Sequence, residues 1–502
     1  MSGAPEERVG FAPAETGALV AGLRPLQLAI AAGGIALAVA LASIVPAGLA
    51  PLALAPGIVL VVLGLARIGG ELLVDRLLGR VAFIGRRVGH GRFSRSGRRG
   101  VLVGGEGIGD PGVGPLEAPA AWGRLRIVAH SLEQGVVGVL LDSRAGTAAG
   151  VLLARSDTAP LLDSVEARRR ADGFAALLAG LARDARPVRR LSIVARRLPA
   201  DASEHASWFA QARVAPLAST VVGAYAELVD ETRAAGAQHD LAITIQLSLR
   251  ARGRELRSLE RAGLSRDAAA GQVVCEELRL VAAALAECGC RVAGALQPAL
   301  LAEAIRSGVD PGTPERVARI RSASGRAGVA AAAAGPGVLE ESWSSVRSEA
   351  GFARTLWAAG LPVSCEAGFL APLVAAAGGS RSVALVIEPL APRRATRLAQ
   401  GAVLDAEAEQ ARREQRGMLE TALARRRRQA ARQSEVDLAA GHALCRVALY
   451  VCVHAQTLAG LDEATALAEH DAARAGIELR ILAGEQAAAL AYTLPGLAGG
   501  LA

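Results

Sequence analysis

Apolar residues fall into three patterns along the chain: one long unbroken run, short alternating stretches, and stretches at helical spacing. The unbroken run is Pro25 to Ala66, 42 residues without a charged side chain. Leu26 to Val45 supplies 20 of them and Leu49 to Ala66 supplies 18, with Pro46, Ala47 and Gly48 between as a helix stop and tight turn. Bilayer hydrocarbon about 30 Å thick takes roughly 20 apolar residues to cross, so the run predicts a two-helix transmembrane hairpin. Pro51 falls in the first turn of the second helix, where its missing N–H costs little. Pro56 lies deeper and kinks that helix, which Arg67 helps complete by snorkelling. A secretory signal fits poorly, because the start sets Glu6, Glu7 and Glu15 against Arg8 and Arg24 and the apolar region is about twice too long. A hairpin buried in a soluble core would carry a polar face, and these helices are apolar all round.

The flank changes that picture by adding an orientation. Arg67 to Arg99 holds nine arginines and two acids, Glu71 and Asp75. Positive charge beside a span stays in the cytoplasm, which places both chain ends there in a multi-pass cell-membrane protein. The segment is basic and amphipathic, suited to anionic lipid, with Arg67, Arg76, Arg80, Arg86 and Arg87 as the expected membrane-surface contacts.

Beyond this the elements are short and alternate. "LAITIQLSL" at Leu241 to Leu249 keeps a clean period of two and predicts a strand, as do Arg124 to Ala129, Val136 to Leu141, Gly150 to Arg155, Leu191 to Arg196, Ser382 to Leu390 and Arg446 to His454. Helical spacing marks Ser164 to Ala182, Pro216 to Ala235, Asp267 to Cys288, one long region from about Arg393 to Leu438, and Asp462 to Ala475. The fold class is α+β: a transmembrane hairpin followed by a cytoplasmic mixed α/β region of split β-α-β type, twice over, with no clear sequence repeat. The expected boundaries are a tail at 1–25, the hairpin at 26–66, a basic segment and Gly/Pro linker at 67–119, a first α+β subdomain at 120–308, a flexible linker at 309–337, and a second subdomain with a long Arg-rich helix at 338–502.

Composition narrows the chemistry. The formal charge is +8, and there is no lysine, so all positive charge is arginine. A P-loop needs a lysine to reach the β and γ phosphates, which excludes a conventional nucleotide-hydrolysing site. Gly107, Gly109 and Gly112 spell a G-x-G-x-x-G, but Pro111, Pro115 and Pro119 stand where its helix should begin, so the stretch reads as linker. Six cysteines show no disulfide spacing. His442, Cys445, Cys452 and His454 are all zinc-capable residue types, but the spacing is unfamiliar, and a buried cysteine beside a surface histidine is the commoner meaning. No G-x-S-x-G occurs and the seven histidines form no recognisable arrangement. No catalytic residue, cofactor or metal is therefore expected. Arg425, Arg426, Arg427 and Arg428 point all round a helix and are read as part of a solvated helix, with docking to an acidic partner or lipid, or to nucleic acid, as the alternatives.

In the C-terminal half, "FLAPLV" at Phe369 to Val374, "RSVALVIEPLAPRRATRLAQ" at Arg381 to Gln400, a charged helix, "LAAGHALCRVALYVCV" at Leu438 to Val453 and "GIELRILAGEQAAALAYTLPGLAGGL" at Gly476 to Leu501 follow one another. Together they resemble an actinobacterial PrgI-like integral membrane family of type IV secretion or conjugation-like systems. The resemblance implies a cytoplasmic domain similar to the N-terminal, non-catalytic domain of the secretion ATPase, no catalytic residues, and a motor ATPase, other membrane components and the lipid bilayer as partners. The function expected is a non-enzymatic membrane component that docks that ATPase. The alternatives are a type VII component of the EccE kind, a membrane-tethered enzyme, or a DNA-tethering protein.

Overall fold

The computed structural model describes residues 9–10, 25–44, 50–68, 71–72, 79–81, 83–85, 92–94, 112–133, 135–156, 164–183, 188–199, 209, 219–235, 237–324, 328–362, 364–365, 368–375 and 378–500. It divides into two compact units, one of Pro13–Gly91 and one of Met1–Ala12 with Arg92–Ala502. A short strand of the larger unit, β1 (Val9–Gly10), comes first in the chain.

The smaller unit holds helices α1 (Pro25–Ile44) and α2 (Ala50–Leu65) and a two-residue ladder of β2 (Arg67–Ile68) with β3 (Glu71–Leu72). The two helices meet at glycines: a Cβ on Gly57 would lie 2.5 Å from both Ala38 Cβ and Gly34 O. The expected membrane hairpin is corrected here. Among the described residues no helix is long and apolar enough to cross a membrane. Helix α2 has 16 residues with Pro56 inside it, about 24 Å at 1.5 Å per residue against about 30 Å of hydrocarbon. The helices begin and end within one residue of the expected spans, and it is the length of α2 that falls short. The multi-pass membrane placement with two cytoplasmic termini, deduced from those spans, falls with them.

The larger unit is built on a 14-stranded sheet in which every pairing is antiparallel. Its chain order is β4 (Arg92–Ser94), β5 (Gly114–Pro115), β6 (Leu125–Leu132), β7 (Gly135–Asp142), β8 (Thr147–Ser156), α3 (Ser164–Leu181), β9 (Val188–Pro199), α4 (Ser219–Ala235), β10 (Ala237–Ser248), α5 (Gly253–Arg261), α6 (Arg266–Glu287), β11 (Cys290–Ala295), α7 (Pro298–Val309) and α8 (Thr313–Ser324). The chain continues with β12 (Val338–Glu341), β13 (Val346–Ser348), β14 (Gly351–Gly360), β15 (Ser364–Cys365), α9 (Ala371–Val374), β16 (Arg381–Pro389), α10 (Pro392–Gln415), α11 (Ala422–Ala439), β17 (Cys445–Ala455), α12 (Leu458–Arg474), β18 (Glu478–Ile481) and α13 (Gln486–Tyr492).

The sheet contains one topology twice. In β8-α3-β9-β10-α6-β11 the strands lie in the order β11-β8-β10-β9, and in β14-α9-β16-β17-α12-β18 in the order β18-β14-β17-β16. Each is the split β-α-β, or ferredoxin-like, arrangement. The two are joined edge to edge through their second strands, with Arg381 opposite Arg197 and Ile387 opposite Leu191. Antiparallel joining of equivalent strands relates the repeats by an approximate two-fold axis normal to the sheet. The first repeat is extended by β7, β6 and β5, the second by β13, β12 and β4.

Strand alternation decides which side chains go where. Leu191, Ile193, Ile243, Ile245, Leu385 and Ile387 face a core completed by Leu177 and Leu181 of α3 and by Val273, Val274, Leu278 and Val281 of α6. In the second repeat Leu356, Val383, Leu449 and Val451 meet Leu373 of α9 and Leu461, Ala468 and Ala472 of α12. The opposite sheet face is covered by α7 and α13, through Leu301 and Ile305 of the former and Leu490 and Ala491 of the latter. The stretch expected as a flexible linker at 309–337 holds α8 and a 3-10 turn at Ala331–Ala333. Its small residues pack closely, with Val329 and Ala334 at 0 % exposure.

Candidate functional site

The chain between β16 and β17 forms a helical arm. Pro389 and Cys445, which bound it, are directly paired neighbours in the sheet. Pro392 starts α10 at a position where a missing N–H costs nothing. At its end Gly417 takes φ +65° and the Met418 N–H reaches back to Arg413 O at 2.9 Å, so the chain reverses in a glycine cap. Thr421 then caps α11 by accepting from the Ala424 N–H at 3.2 Å. The sequence reading had one long helix here; Gly417 and Thr421 were the stop and start signals it passed over. Arg432 Nη2 bonds Glu407 Oε1 at 3.0 Å across the pair, and among the arm's described side chains only Ala395, Ala399 and Ala431 are buried.

Charge on this arm is uneven. The whole arm, Pro392 to Ala439, has eleven arginines and seven acids, a net +4 out of the chain's +8. Residues 409–428 hold seven arginines and three glutamates, which is +4, while the remainder holds four of each sign. The excess therefore sits entirely at the tip. Arg425 and Arg428 reach Glu420 at 3.3 and 3.0 Å, and Arg413 reaches Glu409 at 2.7 Å. Arg425, Arg426 and Arg427 are exposed and Arg428 is half-buried. All four occupy the first turns of α11, where the helix dipole disfavours cations. Between the helices Met418 is 55 % and Leu419 92 % exposed. The tip thus places cations at a helix start, where Glu420 offsets only Arg425 and Arg428, and leaves a leucine in water. Sequence reading found the four arginines and missed the apolar pair beside them.

The other candidates lead elsewhere. Arg67 lies in β2 and Arg80 is exposed, while Arg76, Arg86 and Arg87 lie outside the described residues. His442 sits in the turn before β17 and Cys445 at its first residue, whereas Cys452 and His454 lie seven and nine residues further along the strand, so the four are not brought together. Among the described residues no three His, Cys, Asp or Glu side chains are grouped to hold a metal. Cys452 Sγ and His454 Nε2 are 3.5 Å apart. Burial pushes the Cys452 thiol up to about 11 and the His454 imidazole down to about 4. The pair is thus thiol and neutral imidazole, the opposite of the ion pair that activates a cysteine nucleophile.

A cavity of about 180 Å³ lies between the C-terminal segment and the first repeat, lined among others by Arg190, Gln246 and Tyr492. It is smaller than the roughly 300–1,000 Å³ usual for ligand pockets. Of its two arginines, Arg189 is exposed and Arg190 is engaged, bonding Glu388 at 3.3 Å and Ala498 O at 3.2 Å. Burial lowers the Arg190 guanidinium, with the Arg189 charge adding to it. The other buried arginines are structural ties as well. Arg196 holds Asp240, Ala304 O and Ser307; Arg306 holds Gly335 O and Glu349; Arg354 holds Asp462 and Thr465; Arg381 holds Asp471.

The larger unit is therefore a tandem split β-α-β fold with an inserted helical arm that carries a net charge of +4. No family model matches the chain, and no curated protein matches it.

Proposed function

We propose that this chain is a non-enzymatic docking component and that the helical arm is its docking element. The observation that carries this is the arm tip: an exposed leucine and methionine in a capped turn, within the 20-residue stretch that holds the whole of the arm's excess positive charge. Such a tip suits an acidic surface with an apolar depression, where an apolar anchor with arginines around it supplies most of the binding energy. The buried ionisable groups are consistent with a scaffold, being neutral like Cys452 and His454 or tied into the fold like Arg306 and Arg381. On the resemblance of the C-terminal half, the machine served is a type IV-related secretion or conjugation-like one, and its motor ATPase is the partner.

Affinity capture with the full chain tests this. The purified protein is expected to turn over no ATP, and capture from an extract is expected to recover an ATPase whose retention falls with salt. Turnover by the purified chain, or an ATPase-free capture, would contradict the reading.

A further inference from the structure

The two repeats carry inserts at the same topological place, between second and third strands, and the inserts are opposite in charge. The second repeat has the arm. The first has α4, and residues 200–236 around it hold five acids and two arginines, a net −3. Pro199 is paired with Ala237 and Pro389 with Cys445, so each insert leaves and rejoins the sheet at a single end. Because β9 and β16 run antiparallel side by side, those are opposite ends of the central strand pair.

Helix α4 shows the complement of the arm tip. Val221 and Leu228 are 54 % and 57 % exposed, and Glu227 and Glu231 are exposed as well. At 3.6 residues per turn Val221, Leu228 and Glu231 fall on one side of the helix, with Glu227 beside them. On the arm, Arg426 and Arg427 are exposed in the first two turns of α11, the helix that follows the Met418–Leu419 turn, and make no ion pair among the described residues.

We propose that the arm tip, when not engaged by the ATPase, docks on α4 of a second copy of this chain. Leu419 and Met418 pack against Val221 and Leu228 of that copy, and Arg426 and Arg427 meet its Glu227 and Glu231. This rests on the reading of the arm as a docking element and adds a second occupant of the same tip, so that a copy seated there and the ATPase compete for it. The two surfaces differ and lie at opposite ends of the sheet, so the contact is heterologous and head-to-tail, and copies add in a ring or a filament rather than closing as a two-fold dimer.

Sedimentation velocity of the full chain at about 100 µM, where weak contacts are populated, tests it in about 0.05 M and about 0.5 M salt. The parent is expected to associate at low salt and to dissociate at high salt. R426E/R427E alone and E227R/E231R alone are expected to sediment as monomers. An equimolar mixture of the two should associate again, because the acidic arm of one then faces the basic α4 of the other, and the reverse pair matches too. Leu419→Ser, at a side chain that contributes nothing to the core, should weaken association about tenfold, and it serves if a charge-reversed variant fails to fold. A parent that stays monomeric at low salt, a mixture of folded variants that stays monomeric, association unaffected by Leu419→Ser, or salt-sensitive binding to duplex DNA in place of self-association would each overturn the proposal. ATPase capture is a separate readout, so self-association can fail while the docking reading stands.

Discussion

The two repeats share a topology and solve its packing differently. In the first, the helix layer is thick: α3 has 18 residues and α6 has 22, and β8 meets α6 through Gly150, where a Cβ would lie 2.6 Å from Leu278 Cδ1 and 2.8 Å from Val274 Cγ1. In the second, α9 has four residues and α12 has 17, and charged side chains fill part of the same layer. Arg354 crosses from β14 to Asp462 at 2.8 Å, and Arg381 crosses from β16 to Asp471 at 2.8 Å. A duplicated scaffold therefore does not require duplicated chemistry. What is preserved is strand order and the apolar face of each strand; what is free to diverge is the means of fixing helix to sheet and the insert between the second and third strands.

That comparison can be broken most severely at its buried ion pairs. Arg381→Ala leaves Asp471 without its cation in a closed layer and is expected to cost about 3–5 kcal/mol, read as a lower urea midpoint. If the loss is below 1 kcal/mol, the second repeat does not depend on charge as described. Next in size, Gly150→Val forces α6 off β8 and should cost about 1–3 kcal/mol by overpacking. A comparable loss is expected from Gln486→Ala, since that side chain accepts from the Thr355 N–H at 2.8 Å and donates to Thr355 O at 2.9 Å.

A smaller effect separates the repeats by pH. His454 in β17 is held neutral, its pKa lowered from 6.5 to about 4 mainly by burial, with Asp310 opposing. Below pH 6.5 the unfolded chain takes up a proton that the native imidazole refuses, so this contribution to stability is full above pH 6.5, declines as pH falls, and levels off below about 4. His454→Gln should flatten the stability profile between those limits, measured by urea unfolding across pH, and an unchanged profile would contradict a buried neutral imidazole. Smallest of all, Leu419→Ser should move the unfolding midpoint by no more than about 0.5 kcal/mol, although it lowers docking.

How much of this could be read from the chain follows from range. Alternation is local, so "LAITIQLSL" revealed β10 and "SVALVIEPL" revealed β16. The inner arginines were not legible, because alternation marks Arg196, Arg354 and Arg381 as polar and their partners lie 44, 108 and 90 residues away. The repeat left no sequence trace, since strand order constrains apolar positions and not residue identities. The Ala- and Gly-rich stretch at 309–337 looked like linker because small residues pack without bulk. The uncharged run at Pro25 to Ala66 located both helices to within a residue at each end, and misled because an apolar stretch was taken as a bilayer span although α2 has only 16 residues with a proline inside. At the candidate site the arginines were visible, while the exposed Met418–Leu419 turn emerged only once Gly417 was seen to divide the helix.

The central claim is that docking resides in the arm and folding does not. Because Pro389 and Cys445 are paired neighbours, residues 392–439 can be replaced by a short Gly-Ser turn that closes a β-hairpin. The arm-less chain, compared with the parent by urea unfolding and by affinity capture under identical conditions, should unfold with the same cooperativity and lose the captured partner. Capture of the same partner by a folded arm-less chain would contradict the account.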